Sequence, residues 1–94
     1  MRSILFFLLI SSTVFSQRVI TGKVIDKESS TSLSGVLIRD TKTENWTISN
    51  KDGNFTITLP YFQDIELNFS LLGKKDINQS LKNDQSSITV YLED

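Results

Sequence analysis

Between residues 64 and 72 every second side chain is apolar. Ile65, Leu67, Phe69 and Leu71 fall on one side of an extended chain, and Glu66, Asn68 and Ser70 on the other. A helix would scatter these four apolar residues around its axis, so the pattern confines the stretch to a strand with one buried and one wet face. Gly73 ends it. The same alternation recurs in Phe55, Ile57 and Leu59, with Thr56 and Thr58 turned outward. That run stops at Pro60, the only proline, which has no N–H to give to a ladder. A third run places Ile88, Val90 and Leu92 inward and turns Tyr91 the other way.

Weaker strand patterns fill the rest. Over residues 18–26, Ile20, Gly22 and Val24 share one face and Val19, Thr21 and Ile25 the other, with Gly22 marking a close backbone approach or a bulge. Val36 and Ile38 oppose Leu37 and Arg39. Trp46 and Ile48 lie on one face of a short strand, and residues 74–81 carry Ile77 and Leu81. Polar segments rich in Ser, Thr, Asn and Asp separate these runs, as turns require. Residues 17–94 hold no helical period. Seven short strands with turn signals between them predict an all-β fold, a seven-stranded antiparallel β-sandwich. Its expected core is Ile20, Val24, Val36, Ile38, Ile48, Phe55, Ile57, Leu59, Ile65, Leu67, Phe69, Leu71, Ile88, Val90 and Leu92. Each such side chain contributes roughly 1.5–3 kcal/mol when buried.

The densest polar cluster, residues 50–54, sits between two strand patterns and is expected to close a hairpin. Asp52-Gly53 is a strong turn signal, and Gly53 supplies the positive φ that a short turn needs. Asn50 and Asp52 cap the turn through their own side chains, and Phe55 opens the next strand. Asp52, Gly53 and Phe55 are therefore structural residues. Oxygen donors at Asn50, Asp52 and Asn54 resemble the start of a calcium loop. No later acid completes the roughly six to eight oxygens that calcium takes, so turn chemistry is the better account.

The first sixteen residues read differently. Met1-Arg2 is a basic start, Ile4-Leu5-Phe6-Phe7-Leu8-Leu9-Ile10 an apolar run, and Val14-Phe15-Ser16 a cleavage pattern. The three parts predict a secretory signal peptide over residues 1–16, cleaved before Gln17 and leaving one domain over residues 17–94; an uncleaved N-terminal anchor is the alternative. Its apolar run falls short of the roughly 20 residues that span a bilayer, so the mature chain is expected to have no transmembrane span. The chain has no Cys and no His. That removes a cysteine lipid anchor, disulfides, Cys/His zinc sites, thiol nucleophiles and Ser-His-Asp triads. Asp64 and Glu66 read as a solvated edge rather than a paired acid. Ten Lys+Arg against eleven Asp+Glu, scattered along the chain, leave no basic patch for nucleic acid. The chain is expected not to be an enzyme and to need no cofactor or metal.

The candidate ligand contacts are aromatic. Trp46, Tyr61, Phe62 and Tyr91 are able to stack on a sugar, Tyr61 and Phe62 from a loop after Pro60. Packing is the commoner role for such residues. Trp46 is expected to be partly buried, and the other three to lie at the edge of the core.

Four segments in order carry a family resemblance: Ile20-Thr21-Gly22-Lys23-Val24-Ile25-Asp26, Leu33-Ser34-Gly35-Val36-Leu37-Ile38, Ser49-Asn50-Lys51-Asp52-Gly53-Asn54-Phe55 and Phe69-Ser70-Leu71-Leu72-Gly73. Together they resemble the carboxypeptidase regulatory-like domain, a transthyretin-like (prealbumin-like) β-sandwich. Ser34 stands where the family often has Pro, Ser49 where it often has Thr, and Asn50 where an acid is common. The resemblance brings no catalytic residues. It implies an exported accessory or interaction domain, in the periplasm, at the outer membrane or outside the cell. In bacteria such domains commonly extend the N-terminus of TonB-dependent outer-membrane receptors. A receptor continues into a plug and barrel beyond the position of Asp94, so the chain is expected either to work alone or to be a remnant of one. The expected partner is a protein of the cell envelope; a glycan is the alternative.

Overall fold

The computed structural model describes residues 17–60 and 63–94. The signal-peptide reading, and Tyr61 and Phe62, lie outside the described residues. Seven strands occur in order: β1 (Arg18–Asp26), β2 (Leu37–Asp40), β3 (Trp46–Ile48), β4 (Asn54–Leu59), β5 (Ile65–Ser70), β6 (Ile77–Leu81) and β7 (Ser87–Leu92). They form a three-stranded sheet in the order β4-β1-β7 and a four-stranded sheet in the order β3-β2-β5-β6. No described residue is helical.

The expected sandwich is present, with one pairing the alternation did not foretell. β1 and β7 run parallel, from Thr21↔Ser87 to Asp26↔Leu92, while the other pairs are antiparallel. The chain crosses from β6 in one sheet to β7 in the other, and β7 enters beside β1 in the same direction. Parallel neighbours need such a crossover, since a tight turn cannot supply one.

The inner faces hold Ile20, Val24, Val36, Ile38, Phe55, Ile57, Leu59, Ile65, Leu67, Phe69, Leu81, Val90 and Leu92, all buried. Leu71, Ile77 and Ile88 pack against this core and are partly buried. Phe55 and Phe69 meet edge to face across the two sheets, ring centres 5.7 Å apart. Gly22 pairs with Phe55, and a Cβ there would lie 2.5 Å from the Phe55 ring and 2.6 Å from the Ile88 carbonyl oxygen. The close approach expected at Gly22 is the seat of the Phe55 ring.

Two expectations need correction. Ile48 is not in the core but half exposed, and Trp46 is 61% exposed instead of partly buried. Residues 50–53 do not close a hairpin either: β3 pairs with β2 and β4 with β1, so this turn is a corner carrying the chain from one sheet to the other.

The orientation of Trp46 and Ile48 has its cause in Ser49. It is buried, and its Oγ donates to the Leu33 carbonyl at 2.7 Å and accepts the Val36 N–H at 2.9 Å. Its own N–H donates to the Val36 carbonyl. Because Ser49 points inward, Thr47 does too, and Trp46 and Ile48 must point out. A neutral hydrogen-bonded anchor thus sets the phase of a strand whose apolar residues would have chosen the other.

Arg18, Asp26 and Asp40 follow the same logic. Each ends a strand in its inward phase, is buried, and ties down nearby chain. Arg18 donates to the carbonyls of Gln63, Lys82 and Gln85. Asp40 accepts from the Lys42 N–H and the Thr43 hydroxyl, and Asp26 from the Ser29 N–H and hydroxyl. Among the described residues no buried side-chain polar atom lacks a partner, as a stable interior requires.

Candidate functional site

β3 is one of the two outer strands of the four-stranded sheet, β6 being the other, and its backbone shows which groups are free. The Asn45 carbonyl accepts from the Asp40 N–H, and the Ser49 N–H donates to the Val36 carbonyl. Antiparallel ladders alternate, so residues 45, 47 and 49 spend their backbone groups on β2, and Trp46 and Ile48 turn theirs outward. No other strand pairs with that side among the described residues. On the opposite sheet, β4 is an edge too. Its first residue is already engaged: the Asn54 carbonyl accepts from the Asn50 N–H, and the Asn54 N–H donates to Asn50 Oδ1.

The side chains beside the open β3 edge are apolar. Leu37 lies opposite Ile48, and Arg39 opposite Trp46. Leu37, Trp46 and Ile48 are all exposed on the outer face of this sheet, and Leu72 is fully exposed at the turn that follows β5. An uncovered edge with a row of large apolar side chains is a feature soluble folds normally avoid unless something covers it. Next to Trp46, Arg39 and the loop of residues 41–44 line a shallow concavity. The loop is tied back on itself: Asp40 accepts from the Lys42 N–H and the Thr43 hydroxyl, and Asn45 donates to Thr43 Oγ1.

The candidate contacts named from the sequence are not assembled into one patch. Tyr91 is exposed on the outer face of the three-stranded sheet, opposite Ile25, whereas Trp46 faces out from the other sheet. Tyr61 and Phe62 lie outside the described residues. Gly53 has φ of 79°, Phe55 is buried, and Asn50 Oδ1 accepts the Asp52 N–H. The Gly53 N–H closes on the Asn50 carbonyl, and the Gly53 carbonyl accepts from the Val24 N–H. The corner therefore clips the start of β4 onto β1.

The carboxylates of Asp26, Glu28 and Asp94 gather within 4.8 Å of one another. Lys74 already fills the role of cation: its Nζ lies 2.5 Å from both Asp26 and Asp94. The Lys74 ammonium, with help from Ser29, holds the Asp26 carboxyl down at about 2, and the two acids raise Lys74 well above its ordinary value. These groups form a structural ion cluster. Sequence reading missed Ser49, Arg18, Asp26 and Asp40. The available signal was a polar residue falling in phase with an inward apolar run at a strand end.

A family model described as the CarboxypepD_reg-like domain matches residues 20–94. No curated protein matches the chain.

Proposed function

The chain belongs to the CarboxypepD_reg-like (carboxypeptidase regulatory-like) domain family, a non-catalytic kind of domain, and from that premise we propose that it is an exported interaction module of the cell envelope that works by protein contact at its β3 edge. The observation that carries this reading is the open backbone of Trp46 and Ile48 beside an exposed apolar row. Strand addition uses such an edge: main-chain bonds supply affinity, and alternate side chains supply selectivity. Export rests on the leader pattern of residues 1–16, and its signature is an isolated protein that begins at Gln17. The contact is tested by placing a photo-reactive residue at position 46 and, separately, at position 82 on the far flank, in envelope preparations. Discrete adducts from 46 and none from 82 are expected. Equal labelling at both, or none at 46, removes the edge as the contact.

A second reading is favoured by one observation. The Trp46 ring is exposed next to the polar concavity of Arg39 and the 41–44 loop, an arrangement suited to stacking a sugar and bonding its hydroxyls. Titration with a broad oligosaccharide panel, followed by the fluorescence of this single Trp, tests it. A saturable shift supports a glycan, and a flat response across the panel discards it.

A further inference from the structure

The β3 edge is complementary to itself, and we propose that two copies of this chain pair through it, antiparallel about a two-fold axis at Thr47. The proposal rests on the edge-contact reading above and names the occupant. Trp46 and Ile48 are the residues whose backbone groups face outward, and they stand one on each side of Thr47. A two-fold axis at Thr47 sets Trp46 of one copy opposite Ile48 of the other, and the reverse. Both are outward-facing positions, so each pair exchanges N–H and C=O as an antiparallel ladder requires. The side chains agree with the backbone. Each cross-strand pair becomes an aromatic residue against a β-branched one on the same face, a favourable combination. Leu37, already opposite Ile48, extends the apolar contact in each copy.

Charge agrees as well. The 41–44 loop, with Lys42 and Glu44, flanks one end of β3, and the corner with Lys51 and Asp52 flanks the other. The two-fold brings the loop of each copy toward the corner of the other, so a basic and an acidic group meet an acidic and a basic one. A symmetric contact of this kind closes on itself and ends at two copies. It joins the two four-stranded sheets into one continuous sheet and covers the β3 edge of both. β3 has only three residues, so the contact lies at the small end of specific interfaces and dissociates on dilution.

Sedimentation equilibrium of the purified protein from low micromolar to millimolar concentration, with Trp emission recorded alongside, tests this. The expected result is a rise in mass from one chain to two, with a blue shift of the single Trp over the same range. Ile48→Pro removes an outward N–H and leaves the β2 ladder intact, so this variant is expected to stay monomeric at every concentration. Trp46→Lys puts a charge on the edge at an exposed side chain. It is expected to abolish pairing with an unchanged melting curve, and so keeps the test valid should Ile48→Pro unfold. A wild type that is monomeric throughout overturns the proposal, as does a dimer that persists in both variants. A monomer that crosslinks through position 46 to a different protein also overturns it, while leaving the edge as the functional contact.

Discussion

On the flank where β6 and β7 run, the two sheets are tied by charge. Lys74 bridges Asp26 and Asp94, Lys75 lies 4.0 Å from Glu93, and at the other end the Arg18 guanidinium holds the carbonyls of Lys82 and Gln85. On the flank of β3 and β4, where the chain itself crosses between the sheets, the bonds that hold the corner are neutral: the Ser49 hydroxyl, the Asn50 side-chain amide, and the backbone of Gly53 against Val24. Neutral bonds act only at the right distance and angle, so this flank demands one backbone shape. Ion pairs act over a longer range and tolerate small shifts, and they answer to pH and salt. The rigid flank is also the one whose edge, at β3, carries the exposed apolar row. That pairing makes physical sense, because an edge that receives another strand must keep its donors and acceptors in register.

The largest effect that would break this contrast is at the corner. A Cβ on Gly53 would lie 2.7 Å from the Val24 carbonyl oxygen and 2.9 Å from Ser32 Cβ, at a φ that a β-branched residue resists. Gly53→Val is expected to cost about 3 kcal/mol or more, read as a fall in the urea midpoint. A midpoint equal to wild type would show that the corner gives way freely and that the neutral flank is not the rigid one. Ser49→Ala comes next. It leaves the buried Val36 N–H without its side-chain acceptor and the Leu33 carbonyl without its donor. The expected loss is about 1–3 kcal/mol in the same assay. It should be accompanied by faster amide exchange at Val36 and Thr47, since the anchor that fixes the phase of β3 is gone. Loss of stability with exchange unchanged would separate Ser49 from the edge and weaken the contrast.

Much of the fold was legible in the alternation. Phe55, Ile57, Leu59, Ile65, Leu67 and Phe69 are buried as their period demands, and each expected strand exists. Alternation reports which residues share a face, but not which strands are neighbours. The parallel β1–β7 pair is therefore invisible in it, and so is the corner, because Asp52-Gly53 turns the chain with the same chemistry whether the next strand joins the same sheet or the facing one. Trp46 and Ile48 were misplaced for a sharper reason. Apolarity pulled them inward, while the phase was set by Ser49 one position later, through bonds to residues thirteen and sixteen positions back. Arg18 escaped notice likewise, its partners lying 45, 64 and 67 residues along the chain. The candidate site was thus half visible: Trp46 was singled out, but its exposure and the free backbone beside it follow from pairings that the sequence does not spell.

The smallest effect tests the charged flank. Asp26 titrates at about 2 in the folded protein against an ordinary value of 3.8, mainly because the Lys74 ammonium donates to it. A depressed carboxyl binds its proton less readily folded than unfolded. Its contribution to stability is therefore complete above about pH 4 and is lost as the pH falls toward 2. Lys74 is shifted upward, so its contribution is present at neutral pH and is lost only at strongly alkaline pH. Asp26→Asn removes the first dependence and keeps the side chain's shape and its contact with Ser29. Urea midpoints taken from neutral pH down to about pH 2 should fall for wild type more steeply than for the variant, with the gap between them closing across that window. High salt should narrow the gap at neutral pH only partly, because Lys74 and Asp26 are largely shielded from solvent, at 15% and 12% side-chain exposure. The same titration should leave the difference between wild type and Ser49→Ala constant, since no charge enters that tie. Parallel acid curves for wild type and Asp26→Asn would mean that the charged flank is held by something other than this pair, and the two flanks would then differ in sequence but not in the forces that close them.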